Sequence, residues 1–581
     1  MVPPRHEPET DRGPALRLAT GLIDRWREGY GAADLRADLM AGAVVGVVAL
    51  PLAMALAIAS GVPPQHGLYT SIVAGAIIAL LSGSRFNVSG PTAAFVVVLA
   101  PIAIQHGLGG LLLATLMAGV ILIAMGVLRL GRLIQFIPHP VTTGFTAGIA
   151  VVIATLQVKD FLGLTVEKMP EHWIERIAAL ATAVPTTHMP DLLVGAGTLA
   201  LLFLWPRITR RIPGPLVALS LAGLGAWLLH AYWPQWSVAT IGSRFSYESG
   251  GVSHPGIPQM PPRLLLPWLL PGGNGGALSL SLQTFRELIG PALAIAMLGA
   301  IESLLCAVVA DGIAGTKHDP DAELIAQGAG NIVAPFFGGI AATGAIARTA
   351  TSIRAGARSP IASLAHAIFV LAAVLALAPV LAWLPMAAMA ALLLVVAWNM
   401  CEARHFAHIV RVAPRSDVAV LLTCFSLTVV FDMVVAVSVG IVLAALLFMR
   451  RMAEVAGAHV VDGEHHRFKD VPPDVIVYEI TGPLFFGAAE KAAMAIGATG
   501  GRGRVRAVIL DMEDVPAMDV TGLVALESAI GKLRSMGVTV LLAGVQRQPR
   551  EVLWRGGFRP RPGHEEFAVD VQAALARLAP S

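Results

Sequence analysis

Between Leu39 and Leu128 the chain carries one charged residue, Arg85. The flanking runs, Leu39–Ser84 and Phe86–Leu128, contain no Asp, Glu, Lys or Arg. Each run holds about two membrane spans of roughly 20 residues. The rival reading is a soluble protein with very apolar buried helices. Composition weighs against it: only 14% of residues are charged and 56% are hydrophobic, whereas soluble domains average about 25% charged. The chain reads as an integral membrane protein.

Apolar spans are predicted near residues 41–60, 68–84, 91–106, 109–128, 140–158, 190–205, 213–233, 287–310, 324–340, 344–356, 360–380, 385–400, 416–431 and 433–449. Residues 1–37 read as a cytoplasmic tail, 38–451 as the transmembrane domain, 452–470 as a linker and 471–581 as a cytoplasmic domain. The N-terminal stretch is too polar and acidic for a cleaved signal peptide. Basic clusters follow even-numbered spans: Arg129 and Arg132, Arg207 to Arg211, Arg354 and Arg358, Arg404 to Arg415, and Arg450 with Arg451. The positive-inside rule then places both termini in the cytoplasm, and Asp432 falls in a tight outer turn.

After Arg451 the pattern changes. VPPDVIVYEIT (471–481), VRAVILDM (505–512) and VTVLLAG (538–544) read as strands. GPLFFGAAEKAAMAIG (482–497), TGLVALESAIGKLRSMG (521–537) and EVLWRGG (551–557) read as helices. Strands alternating with helices predict a small α/β domain.

Catalytic signatures are missing. The sequence has no GxSxG, HExxH or P-loop pattern, which argues against an enzyme or an ATP-driven pump and calls for no cofactor. GxGR at 501–504 lacks the strand–turn–helix setting of a nucleotide site, and GEHHRFKD (463–470) reads as a polar loop rather than a metal site. Cys306, Cys401 and Cys424 form neither a disulfide framework nor a metal cluster. A net charge of +3 gives no reason to expect nucleic acid.

Two short segments are candidates for the chemistry of a carrier. NVSGPTAAFVV (87–97) and ATGAIARTA (342–350) both place small residues and a threonine at the start of a helix. Unsatisfied N–H groups and the helix dipole make such a start an anion site. Two half-helices meeting at mid-membrane are a transporter solution; packing points alone are the other reading. Arg348 lies about one turn beyond Thr343 and Gly344, where its guanidinium suits carboxylate or sulfate oxygens. Otherwise it is a boundary arginine reaching for the cytoplasm. Glu302, in an uncharged stretch, is a candidate proton carrier or the partner of a structural ion pair with Arg348. His66, His106 and His139 read as wet interfacial histidines.

PLAMALAIASGVPPQHGLYTS, SRFNVSGPTAAFVV and GAIARTA resemble the SulP anion-transporter family, over nearly the whole chain from about residue 35. The resemblance implies a polytopic α-helical protein with fourteen membrane segments in two inverted repeats of seven. It also implies a cytoplasmic α/β STAS domain, homodimers and a bacterial inner-membrane location. Matched residue by residue, it puts Leu56, Ser89, Gly90, Pro91, Thr92, Ala347 and Arg348 at the substrate site and Glu302 at the coupling position; Thr343 and Gly344 join the candidate substrate site from the helix-start reading. Ala347 replaces a serine found in some relatives.

AMLGAIESLLCAVVADGIAGTKH, IPHPVTTGF, QVKDFLGL and LLFMRR resemble the family's bacterial C4-dicarboxylate carriers. That implies proton-coupled uptake of succinate, fumarate or aspartate, with sulfate, bicarbonate or chloride transport, or an anion channel, as the alternatives. A receptor or scaffold role is a further reading. DVTG (519–522) resembles the phosphorylated site of anti-sigma antagonists, with Thr521 as acceptor. The competing reading, favoured on the residues alone, makes Thr521 the N-cap of its helix. Otherwise the STAS domain docks on the dimer or on a cytoplasmic protein partner.

Overall fold

The computed structural model describes residues 18–132, 138–209 apart from 167–168 and 171, 212–431 apart from 250–251, 274, 277 and 279, 433–460 apart from 456, 471–485, 505–559 and 565–578. GEHHRFKD, GxGR, Asp432 and the helix expected after Phe485 lie outside them. The chain divides within its last long apolar helix into two compact units, Met1–Ile441 and Val442–Ser581.

The first unit begins with α1 (Thr20–Arg27), α2 (Ala32–Ala59), α3 (Pro64–Leu81), the two-residue strand β1 (Ser89–Gly90) and α4 (Ala93–Val127). Next come α5 (His139–Leu162), α6 (Trp173–Ala183), α7 (Met189–Ile208), α8 (Gly214–Tyr232), α9 (Ile241–Arg244) and the hairpin β2 (Ser246–Ser249) with β3 (Val252–Pro255). The second half holds α10 (Leu282–Ala314), α11 (Pro320–Val333), β4 (Thr343–Gly344), α12 (Ile346–Arg354), α13 (Ile361–Leu381), α14 (Met386–Cys401), α15 (Ala403–Val412), α16 (Arg415–Val430) and α17 (Met433–Val455).

Among the described residues, ten helices are long and apolar enough to cross a membrane. Every predicted span falls on a helix once α4 is divided at Gly107, whose φ of 67° breaks it into two segments. A Cβ there would meet the carbonyl of Pro271 at 2.6 Å, so the break also seats the loop before α10. α2 starts at Ala32, ahead of the predicted apolar run, and carries Pro51 inside it.

Exchanging each membrane segment with the one seven places on carries several of the main packing contacts into one another. The α2·α13 contact becomes α10·α4, and α3·α13 becomes α11·α4. The α5·α14 pair maps onto itself. Seven is odd, so successive repeats run through the membrane in opposite senses. Small residues permit close approaches: at Gly119 of α4 and Gly328 of α11, a Cβ on either would sit 2.7 Å from the other's carbonyl oxygen.

The second unit contains a sheet in the order β5-β6-β7-β8-β9, from β5 (Gly457–Val460), β6 (Val475–Thr481), β7 (Ala507–Asp511), β8 (Thr539–Ala543) and β9 (Glu565–Ala568). The β5–β6 pair is antiparallel and the others parallel. All five β7 residues are buried, as expected of a central parallel strand covered on both faces. Leu526, Ile530 and Leu533 of α18 (Val520–Ser535) and Leu553 of α19 (Arg547–Arg555) share one core with Val508 and Leu510. Val571 and Ala574 of α20 (Val571–Leu578) join the other, with Ala507 and Ile509. β5 lies where the sequence suggested a linker; four residues next to an apolar helix give too little alternation to show it.

The sequence reading of Thr521 as a cap is corrected. Asp519 is the N-cap of α18, its carboxylate accepting from the Gly522 N–H at 2.7 Å. Thr521 is exposed in the first turn.

Candidate functional site

β1 and β4 cross antiparallel inside the first unit, Ser89 opposite Gly344 and Gly90 opposite Thr343. A helix start follows each strand: α4 at Ala93 and α12 at Ile346. Neither is closed by its own side chain, because the N-cap residues Thr92 and Ala345 make no side-chain cap bond. Ser281, Asp319 and Asp519, in contrast, cap α10, α11 and α18. The crossing therefore brings together two helix starts whose dipoles favour an anion.

Several predicted site residues hold this crossing in place. Ser89 Oγ accepts from Gln327 Nε2 at 2.9 Å. Thr343 Oγ1 donates to the Gly299 carbonyl at 3.1 Å and lies 2.7 Å from Ser303 Oγ, which also accepts from the Gly344 N–H at 3.1 Å. Ala345 N–H donates to the Val88 carbonyl at 2.9 Å, tying the start of α12 to the chain before β1. Leu56 is buried in the main core, and its carbonyl accepts from Ser60 Oγ.

The first turn of α12 exposes Ile346 and Ala347 and turns Arg348 inward. Arg348 is 3% exposed, so the boundary-arginine reading fails. Its Nη2 donates to the Pro91 carbonyl, while Nε and Nη1 have no partner among the described residues. Gly90 makes this fit possible, since a Cβ there would lie 2.5 Å from Nη1. Among the described residues no carboxylate neutralises the guanidinium by direct contact. The suggested Glu302–Arg348 ion pair is therefore absent: Glu302 Oε2 instead accepts from Thr92 Oγ1 at 2.9 Å. Because Thr92 is the N-cap residue of α4, the Glu302 carboxylate touches the start of that helix.

A second carboxylate, missed in the sequence, organises the scaffold. Glu323 is fully buried and accepts from Ser82 Oγ at 2.5 Å, the Gly83 and Ser84 N–H groups at 3.1 and 3.2 Å, Asn87 Nδ2 at 2.6 Å and Gln327 Nε2 at 3.0 Å. Two turns along α11, Asn331 donates to the carbonyls of Gln327 and Ala342 and accepts from the Ala342 N–H, each at 2.8 Å. The legible signal was the spacing: Glu323, Gln327 and Asn331 recur every fourth residue and so line one helix face. His66 also departs from expectation. It is buried, with Nδ1 2.7 Å from the Gly338 carbonyl, and is not a wet interfacial group.

The fold and this crossing define a polytopic helical membrane transporter. Residues 35–424 match the Sulfate permease family and residues 469–574 match the STAS domain, and the chain belongs to that family. A Bacillus subtilis (strain 168) protein named "Putative sulfate transporter YvdB" is 38% identical over 510 residues, covering 88% of this chain and 91% of that one. "Bicarbonate transporter BicA" of Picosynechococcus sp. (strain ATCC 27264 / PCC 7002 / PR-6) is 28% identical over 524 residues, covering 85% and 86%. The structure of the murine anion transporter Slc26a9 in the inward-facing state matches in fold, with a TM-score of 0.83 at 19% identity over 98% of this chain and 97% of that one.

Proposed function

We propose that this protein is a secondary transporter of a small inorganic oxyanion, sulfate or bicarbonate. The observation that carries this reading is Arg348, a buried guanidinium without a carboxylate partner beside two uncapped helix starts. An uncompensated charge at that depth is costly, and an entering anion supplies what the protein lacks. Relatives named as sulfate and bicarbonate transporters favour the inorganic anions over the C4-dicarboxylates expected from local resemblance.

Glu302 is the proposed proton site. Gaining or losing its charge changes the bond to Thr92 and hence the first turn of α4. Protonation also offsets the charge of the anion, easing reorientation of the loaded carrier. The protein is further proposed to work as a homodimer in a bacterial inner membrane, with both termini cytoplasmic. Phosphorylation of Thr521 would add negative charge at the start of α18, where the dipole favours it; intact-mass analysis across growth conditions tests it, and persistent absence removes it.

The deciding experiment is uptake of labelled sulfate and bicarbonate by purified protein in liposomes, with and without an inward proton gradient and with succinate as competitor. Accumulation of either oxyanion against its gradient supports the reading and excludes a channel. Gradient-driven succinate accumulation without oxyanion flux overturns it in favour of a dicarboxylate carrier.

A further inference from the structure

Besides Gln327 Oε1, three buried side chains around the crossing leave five hydrogen-bonding atoms without a partner among the described residues: Arg348 Nε and Nη1, Ser71 Oγ, and both ring nitrogens of His366. Ser71 is 0% exposed and His366 1%. They come from three different helices, α12, α3 and α13. Gly90 is the link between the first two, since a Cβ there would sit 2.5 Å from Arg348 Nη1 and 3.2 Å from Ser71 Oγ. His366 enters from α13, while on α12 Thr349, the residue after Arg348, donates through Oγ1 to Asn87 Oδ1 at 3.4 Å. Nearly one turn earlier on α13, Ser363 Oγ donates to the Asn87 carbonyl at 2.9 Å, which turns that face of the helix toward the residues entering β1.

A buried polar group left unpaired is costly, and more so when charged. Five such atoms in one neighbourhood call for a common solution. An apolar helix interior would have been filled with Leu or Ala, as the surrounding positions are. Water is the ligand that serves a guanidinium, a hydroxyl and an imidazole together, and buried water needs two to four polar partners.

We infer that ordered water occupies the space between Arg348, Ser71 and His366, and that His366 is thereby a positioning residue for the anion-binding arginine. This role rests on the proposed function of Arg348. Direct contact gives the guanidinium one anchor, the Pro91 carbonyl. One anchor leaves the planar group free to swing about it. A water held by His366 and Ser71 supplies a second and fixes the direction in which the charge is offered.

The test pairs two substitutions in full-length protein in liposomes. His366→Leu removes both ring nitrogens; His366→Gln keeps a group that can hold water. Leu is expected to raise the half-saturating concentration of the transported anion about ten-fold, the effect of one lost hydrogen bond to a charged group. Its maximal rate stays within about two-fold. Gln stays within about three-fold of wild type in both parameters. Equal effects of Leu and Gln, or a fall in maximal rate at unchanged half-saturation, overturn the inference. Should the Leu variant not fold, Ser71→Ala removes a water ligand from the opposite side and is expected to raise half-saturation about three-fold; an unchanged value overturns it.

An experimental density map decides independently of substrate. Water within hydrogen-bond distance of both His366 and Arg348 supports the inference, and a dry contact there overturns it. A wild-type protein that transports no anion overturns the proposed function but leaves that map comparison standing.

Discussion

Glu323 and Glu302 sit on neighbouring helices beside the same strand crossing, and they are held in opposite ways. Glu323 accepts from five donors on four side chains or backbone groups of the α3–β1 connection and one side chain of its own helix. The recorded partner of Glu302 is the Thr92 hydroxyl. Arg348 is closer to Glu302 in this respect, with one of its three nitrogens bonded. A saturated carboxylate can only hold. Any change in its protonation or position leaves several buried donors unpaired. A carboxylate or guanidinium with spare capacity can exchange partners, which carrying an ion requires. The difference separates scaffold from machinery more sharply than burial does.

The largest expected effect on transport comes from Arg348→Ala. Uptake in liposomes should fall to background, at least about 100-fold, as expected when a buried charge partner is lost. Size exclusion should still show folded protein, because no acid is stranded by the change. Uptake near wild type would break the comparison on its functional side.

On the scaffold side the largest effect belongs to Glu323→Ala. Several buried donors lose their acceptor at once, and the cost is expected to exceed about 3 kcal/mol. Thermal unfolding of the purified protein should show a large fall in midpoint, or the protein should fail to accumulate. A variant as stable as wild type would mean that the Glu323 network is no more structural than Glu302.

Much of this architecture was legible because it is written in long-range periodicity. Charge-free runs gave the membrane spans, and the small-residue starts at 89–92 and 343–348 gave the crossing. Arg348 stood out as a charge in the wrong solvent. What stayed hidden depended on side-chain direction. Ser89 and Thr343 carry hydroxyls suited to an anion, yet both face inward and pin the strands. Glu323 follows two other acids, Asp319 and Asp321, and nothing local says that α11 begins at Pro320 and buries it. His366 was invisible for the same reason: one histidine among alanines shows neither its depth nor its neighbours. In the second unit, Asp519 and Thr521 are two residues apart and both suit a cap. Only the backbone of Asp519, extended at φ −99° and ψ −176°, decides which one serves.

Glu302→Gln sharpens the contrast at intermediate size. The amide keeps the volume and can still accept from Thr92, so folding and basal anion exchange should persist within a few-fold. Acceleration by an inward proton gradient should vanish. Uptake compared with and without the gradient is the readout. An unchanged gradient response assigns the proton to another group and leaves Glu302 as a second scaffold acid.

The smallest effect tests the contrast between closed and open helix starts. Asp519 closes α18 through the Gly522 N–H, whereas no side chain closes α4 or α12. Removing a cap costs about 1 kcal/mol, so Asp519→Ala should speed hydrogen exchange at the Gly522 amide roughly five-fold in the intact protein. Anion uptake should not change, because the capped helix belongs to the STAS domain and not to the crossing. Thr521→Ala should alter that amide less than Asp519→Ala does. Equal effects would mean that Thr521 shares the cap, and the helix would then be closed twice. Phosphorylation at that residue would in that case have to break a cap before it could gain from the dipole.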